Sequence, residues 1–301
     1  MEKLFSIIIP HRNIPNLLQR ALDSIPRRND IQIIVVDDKS DDDIVNFLHF
    51  PYLNDKHVEI YFLKENAGNG EARNYALPKA KGKWLYFLDA DDFFTPHAFD
   101  TLFKYKDSSE DVIVFNYEMR YSDTLELVPS DDKRYITKTR NKYIDDYLNK
   151  KNKDTERTLI SNPPSACGKM IKKRLVEDYK IKFGVSGRAE DSYFSAVLHY
   201  YGKTIYDSSV IYCVTRRLDS VTATPLNKKS LISRHTNHLL INKFYREHNM
   251  SYAQKTVGFN FLESIKNGFI GFADICLLTI KYRQNPFIGL SRFIKRISRI
   301  N

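Results

Sequence analysis

Five short apolar runs, each stopping on proline or on polar residues, constrain the fold of this chain more than any other feature. Phe5-Ser6-Ile7-Ile8-Ile9 stops at Pro10, Ile31–Val36 runs into Asp37-Asp38, and Trp84–Leu88 runs into Asp89. Val58–Leu63 and Val112–Phe115 complete the set. Helical spacing fills the gaps. Leu17, Leu18, Ala21, Leu22 and Ile25 recur on one face. Ile44, Val45 and Leu48 suggest a short helix behind a cap at Ser40 or Asp41, and Glu71–Leu77 opens another that Pro78 limits or kinks. Apolar strands without polar alternation are buried on both faces, and their alternation with helices makes the sheet mostly parallel. The expected class is α/β: a Rossmann-like, mostly parallel sheet flanked by helices.

The pattern changes twice along the 301 residues. Residues 116–160 are polar, charged and tyrosine-rich, with room for a hairpin and a helix. From about Asn227 the segments read as helical. The expected division is a first domain over 1–226, with a break near 115, and a basic helical region over 227–301. Cys167, Cys213 and Cys276 are far apart and lack metal-ligand spacing, which suits a reducing compartment. The chain enters a strand directly, so no signal peptide is expected, and no stretch has the length of a transmembrane helix. The expected location is cytoplasmic. A formal charge of +10 asks for an acidic partner: nucleic acid, anionic lipid or an acidic small molecule.

Chemistry concentrates at the strand ends. Asp89, Asp91 and Asp92 put three carboxylates within four positions. Like charges this close repel, and a cation relieves the repulsion. The carboxyl edge of a parallel sheet is also where open α/β folds bind ligands. Asp37-Asp38 ends a second strand on that edge, where a carboxylate can accept from ribose hydroxyls or a base N–H. A plain acidic turn or a helix cap accounts for either run as well. Asn66-Ala67-Gly68-Asn69-Gly70-Glu71-Ala72-Arg73-Asn74 sets two glycines before a helix start, allowing close approach of an anion, with Arg73 as a fixed cation. Its spacing is neither a dinucleotide fingerprint nor a Walker A loop, and a simple loop-to-helix junction explains it too. Glu190-Asp191 precedes an apolar helical run. A carboxylate there is a general base if the fold brings it to the sheet edge, or else a first-turn acid favoured by the helix dipole.

Taken in order, Ser6-Ile7-Ile8-Ile9-Pro10, Ile34-Val35-Val36-Asp37-Asp38-Lys39-Ser40, Asn66 through Asn74, Phe87-Leu88-Asp89-Ala90-Asp91-Asp92 and Glu190-Asp191-Ser192-Tyr193-Phe194 resemble the family-2 glycosyltransferases of the GT-A fold. The resemblance spans residues 4–222. It implies an inverting, metal-dependent enzyme that moves a hexosyl or N-acetylhexosaminyl group from a nucleotide-sugar, expected to be a UDP-sugar. The acceptor would be a hydroxyl of a glycan or polyprenyl-linked saccharide, in the assembly of a bacterial surface polysaccharide such as capsule or O-antigen. Residues 1–115 would form the nucleotide-sugar half and 116–226 the acceptor half of the catalytic domain.

The resemblance also implies residue roles. Pro10 and Arg12 would line the nucleotide pocket, although His11 and Arg12 replace the smaller residues usual there. Asp38, with Asp37 beside it, would contact base or ribose, and Asn66, Gly70 and Arg73 would lie along the nucleotide. Asp89, Ala90 and Asp91 match the Asp-x-Asp motif. Asp91 would hold Mn2+ or Mg2+ against the diphosphate, with Asp89 nearer the ribose and the metal. Asp191 would be the catalytic base and Glu190 its neighbour. Tyr212, Arg217, Ser220 and Thr222 resemble a segment that closes over the diphosphate, though Tyr212-Cys213-Val214-Thr215 has fewer aromatics than the usual pattern.

Residues 281–301 carry Lys281, Arg283, Arg292, Lys295, Arg296 and Arg299 with no acid, interleaved with apolar residues from Phe287 to Ile300. A basic amphipathic helix suits an anionic membrane surface, which would make the protein peripheral on the inner face of the cell membrane. The same helix could instead pack its apolar stripe on the first domain. Nucleic acid is not expected as a partner, because much of the excess charge sits in this tail. A nucleotidyltransferase would need a glycine- and arginine-rich loop after the first strand, and Pro10-His11-Arg12-Asn13-Ile14 has no glycine. The remaining alternative is an inactive sugar-nucleotide-binding subunit, against which stands the full set of carboxylates.

Overall fold

The computed structural model describes residues 2–46, 49–129, 137–163, 165–217 and 227–288. Its first part comprises β1 (Phe5–His11), α1 (Pro15–Asp23), β2 (Ile31–Asp37), β3 (Val58–Phe62), α2 (Asn69–Ala76) and β4 (Trp84–Phe87). β1 lies between β2 and β4, all parallel, with Ile8 opposite both Ile34 and Phe87. β3 pairs parallel on the outside of β2. Every residue of β1 and β2 is buried, as runs without polar alternation require. Pro15 opens α1, where its missing N–H needs no partner. Pro78 ends α2 in a short 3-10 turn.

The second part adds β5 (Phe93–Phe94), α3 (Ala98–Lys104), β6 (Val112–Tyr121), α4 (Thr137–Lys150), α5 (Lys153–Ser161) and β7 (Lys169–Lys172). It continues with α6 (Lys173–Asp178), α7 (Glu190–Tyr201) and β8 (Thr204–Arg216). One eight-stranded sheet results, ordered β3-β2-β1-β4-β7-β6-β8-β5. β7 inserts antiparallel between β4 and β6. The sheet is thus parallel from β3 to β4 and mixed beyond.

Four local expectations differ from the structure. The short helix at Ile44 and Val45 is a single turn, both N–H groups reaching Asp41 O at 3.0 Å. Leu48 lies outside the described residues. Ser40 caps no helix because its hydroxyl bonds Asp37. The fifth apolar run, β6, continues to Tyr121, since residues 116–121 find partners on β8. The polar stretch to 160 holds two helices, the second opened by a reciprocal Asn152–Thr155 capping box.

Among the described residues three further α-helices follow: α8 (Lys228–Glu247), α9 (Gly258–Lys266) and α10 (Phe272–Lys281). Asn227 and Ser230 cap α8 reciprocally. Ile241, Phe244 and Tyr245 of α8 join the same apolar core as the sheet. No helix among the described residues is long and apolar enough to cross a membrane. Ser220, Thr222 and residues 289–301, which hold most of the basic tail, lie outside the described residues.

Candidate active site

The ends of β1 and β2 meet in register at His11 and Asp37. His11 Nδ1 lies 2.7 Å from Asp37 Oδ2, and its Nε2 accepts the Ile14 N–H at 3.2 Å, which puts the proton on Nδ1. Ser40 donates to both Asp37 oxygens, at 2.9 Å from N–H and 2.6 Å from Oγ. Burial alone would raise the Asp37 carboxyl, but the bonds from His11 and Ser40 outweigh it and hold it below its ordinary value. The Asp37 carboxylate therefore serves as an internal brace. The residue also lines a cavity of ≈ 270 Å³ with Lys39, Phe62 and Leu63. Phe62 and Leu63 were not among the candidates read from sequence, although their place at the end of β3, opposite Asp37, marks the same edge.

Asp38 shapes the next loop. One oxygen accepts the Ala67 N–H at 2.7 Å and the other the Gly68 N–H at 2.8 Å. With its nitrogen turned to Asp38 and its oxygen to Arg12, the orientation that satisfies both neighbours, the Asn66 amide donates at 2.9 Å and accepts at 2.7 Å. Burial raises the Asp38 carboxyl more than these bonds lower it. Gly68 has φ +89°, and a Cβ there would sit 2.6 Å from Ser186 Cβ. A Cβ at Gly70 would lie 3.0 Å from both Ser186 Oγ and Glu190 Cγ. The two glycines thus admit the loop that precedes α7, a role their spacing did not disclose.

Arg73 gathers the acids. It is buried on α2 and donates to Asp89 Oδ1 at 2.5 Å, while its other terminal nitrogen lies 3.8 Å from Glu190 Oε1. Burial alone would lower the guanidinium, yet Asp89, Glu190 and Asp191 together hold it above its ordinary value. Asp91 accepts from Arg217 at 2.9 and 3.2 Å. Burial and then the charge of Asp89 raise the Asp91 carboxyl, and Arg217 offsets only part of this. Ala90 is buried between them. Asp92 behaves differently. It accepts the Tyr212 hydroxyl at 2.6 Å and the Thr215 N–H at 2.7 Å, tying the turn after β4 to β8.

Asp89 and Asp91 form an all-oxygen donor pair whose mutual repulsion Arg73 and Arg217 relieve only in part, which suits a hard divalent cation. Among the described residues no three His, Cys, Asp or Glu side chains close a metal site of their own. A cation here would complete its coordination from a bound ligand and water.

Glu190 and Asp191 open α7 immediately after Ala189, which adopts φ 64°. Burial raises both carboxyls. The Asp191 charge adds to the effect at Glu190, and Arg73 works against it at both. A carboxylate displaced toward neutrality is suited to accept a proton. Lys169, fully buried nearby, donates to Ser195 at 2.9 Å and also opposes the rise at Asp191.

The model of the family described as glycosyl transferase family 2 matches residues 6–179. The chain belongs to this family. The match takes in Asp38, Arg73, Asp89 and Asp91 and stops before Glu190 and Asp191, whose place in the site rests on geometry. Similar glycosyltransferases include GlyA of Streptococcus pneumoniae serotype 4, 29% identical over 233 residues, covering 74% of this chain and 32% of GlyA. EpsH of Bacillus subtilis strain 168, provisionally described as a glycosyltransferase, is 22% identical over 72% of this chain and 62% of its own length. The chain thus spans less than two thirds of both relatives.

Among solved structures, S. aureus TarS 1-349 in complex with UDP-GlcNAc superposes with a TM-score of 0.58 at 20% identity, covering 79% of this chain and 66% of that one. The mannosyltransferase PcManGT from Pyrobaculum calidifontis, in complex with GDP-Man and Mn2+, gives 0.56 at 15% identity over 99% of this chain and 81% of that one. These likenesses establish the fold of this family-2 member as GT-A: a mixed α/β sheet with flanking helices and a helical C-terminal region.

Proposed function

We propose that this family member is an inverting, metal-dependent glycosyltransferase that moves a sugar from a nucleotide-sugar to a hydroxyl of a glycan or lipid-linked acceptor. The observation that carries this reading is Arg73, which draws Asp89 from the end of β4 and Glu190 from the start of α7 to one buried guanidinium. Carboxylates more than a hundred residues apart thereby share one edge of the sheet. The nucleoside would sit between the Asp38 loop and the slot at Lys39, Phe62 and Leu63.

In the reaction Asp191 takes the proton of the acceptor hydroxyl. The oxygen forms its bond to the anomeric carbon from the face opposite the nucleoside diphosphate, and the breaking C–O bond leaves its electron pair on the diphosphate. Charge spreads over the sugar ring as in glycoside hydrolysis. Arg217 stands where it can stabilise the departing oxygens. A Mn2+ or Mg2+ held by Asp91, with Asp89 beside it, would supply further charge neutralisation on the diphosphate. The donor is read as a UDP-sugar, the class of nucleotide-sugar bound in the TarS complex with UDP-GlcNAc.

Residues 1–226 would form the catalytic unit, acting from the cytoplasm in the assembly of a surface polysaccharide. The basic stretch 281–301 would rest on an anionic membrane where a lipid-linked acceptor is found. The test incubates purified protein with a panel of nucleotide-sugars and Mn2+ or Mg2+. Release of nucleoside diphosphate from one donor, lost in Asp191→Asn and on chelation, is the expected result. Absence of both turnover and calorimetric binding for every donor would overturn the reading.

A further inference from the structure

We infer that Asn237 and Ser233, on α8 of the C-terminal region, are positioning residues for the carboxylates that open α7. The inference rests on the reading of Asp191 as the base. Residues 179–189 connect α6 to α7 without helix or strand of their own, and 183–189 are the part that leads into α7. Gly187 has φ 136° and Ala189 φ 64°, so the segment needs external support to hold one path.

That support comes from α8. The fully buried Asn237 accepts the Val185 N–H at 2.8 Å and donates to Val185 O at 2.7 Å and Arg188 O at 2.9 Å. One turn earlier, Ser233 Oγ accepts the Arg188 N–H at 3.0 Å. A spacing of four places both side chains on one face of the helix. The glycines fit around them. A Cβ at Gly184 would lie 2.2 Å from Asn237 Oδ1, and one at Gly187 2.4 Å from Ser233 Oγ.

The opposite side of the segment is held by α2, the helix that carries Arg73. Asn74 accepts the Phe183 N–H at 2.9 Å and donates to Phe183 O at 3.3 Å. Ser186 Oγ accepts the Glu71 N–H at 3.1 Å. Residues 183–188 are therefore clamped between the loop-bearing helix and α8, and the chain leaves the clamp directly into Glu190 and Asp191. Misplacing a reacting group by about 1 Å can lower a rate about 100-fold. The C-terminal region is thus part of the apparatus that aims the base.

Asn242 supplies the control. It lies on the same helix, is fully buried and braces backbone in the same manner, but its bonds go to Lys255 at 2.9 and 2.5 Å. The experiment compares Asn237→Ala, Ser233→Ala and Asn242→Ala in the full chain. It reads kcat for diphosphate release, donor affinity by calorimetry, thermal melting, and amide hydrogen exchange. Asn237→Ala should lower kcat about 100-fold and Ser233→Ala about tenfold, with donor Kd unchanged within about twofold. Asn242→Ala should melt lower as well but keep its kcat. Exchange at Val185, Arg188 and the first turn of α7 should accelerate only in the first two variants. A kcat loss that follows melting equally in Asn237→Ala and Asn242→Ala overturns the inference. If the unaltered chain turns over no donor, the proposed reaction fails, and the exchange arm alone decides the clamp: unchanged protection of the α7 first turn in Asn237→Ala refutes it.

Discussion

Arg217 donates twice to one oxygen of Asp91, at 2.9 and 3.2 Å, across 126 residues of sequence. A side chain from the end of β8 thus compensates the carboxylate proposed to hold the metal. A guanidinium and a divalent cation would both favour the charged form of this carboxyl, which burial and Asp89 disfavour.

That shared role makes metal dependence the first prediction. Arg217→Ala should lower the Mn2+ concentration needed for half-maximal donor turnover, because the metal no longer shares Asp91. Its kcat should fall about 100-fold, the usual effect of losing one donor to a leaving oxyanion. Asp91→Ala should lose turnover by at least as much and no longer respond to added metal. A metal titration of diphosphate release checks both, and identical half-saturation in Arg217→Ala and the unaltered protein would refute the shared role.

The pH profile follows from Asp191. Burial raises its carboxyl, and Arg73 opposes the rise. As the proposed base, Asp191 works only when deprotonated, so kcat should climb with pH through a value above the ordinary aspartate pKa of about 3.9. Arg73→Gln removes the opposing charge and should move the acid limb to higher pH. A limb that moves to lower pH in this variant would contradict the assignment.

Asp37 predicts the opposite pH behaviour, read in stability. Its folded carboxyl lies below the ordinary value, held there against burial by His11 and Ser40. The stabilisation is present above the unfolded pKa of about 3.9 and is lost as pH falls through the lower folded value. Asp37→Ala leaves buried donors on His11 and Ser40 unmatched and should cost about 2–4 kcal/mol at pH 7. Thermal melts of the two proteins should converge as the pH drops below about 4. A constant difference across that range would mean Asp37 is not the carboxylate whose titration matters.

Much of this site was legible because its acids end local apolar runs. Asp38, Arg73, Asp89 and Asp91 each sit in a short segment whose pattern announces a strand end or helix start. Asp92 reads the same way, and only its burial against Tyr212 and Thr215 separates it from its neighbours. The insertion of β7 between β4 and β6 left no periodic trace, since strand order is set by pairing between distant segments. The role of Gly68 and Gly70 was hidden for the same reason: the Ser186 that fills their bare faces lies more than a hundred residues away. Ser40 deceived as a cap because Asp37 offers its hydroxyl a closer partner than a helix end would.

The outer face of the C-terminal helices supports the last prediction. Ile275 and Thr279 turn α10 inward, the latter bonding His235 of α8 at 2.9 Å. On the opposite face Leu277 and Ile280 are 66% and 72% exposed, with Phe269 at 63% in the connection and Phe287 at 69% beyond. A helix apolar on both faces calls for cover on each. The sequence from 275 to 301 carries six basic residues and no acid, which favours an anionic surface over neutral lipid. The protein should therefore sediment with vesicles containing phosphatidylglycerol, release them at high salt, and ignore pure phosphatidylcholine. Leu277→Ser with Ile280→Ser removes apolar anchoring worth about 1.5–3 kcal/mol for each side chain and should weaken vesicle binding at least tenfold while leaving donor turnover in solution unchanged. Concentration-dependent dimerisation lost in the same double variant, with no vesicle binding at any salt, would instead make this face a contact between two copies of the chain and overturn the membrane reading.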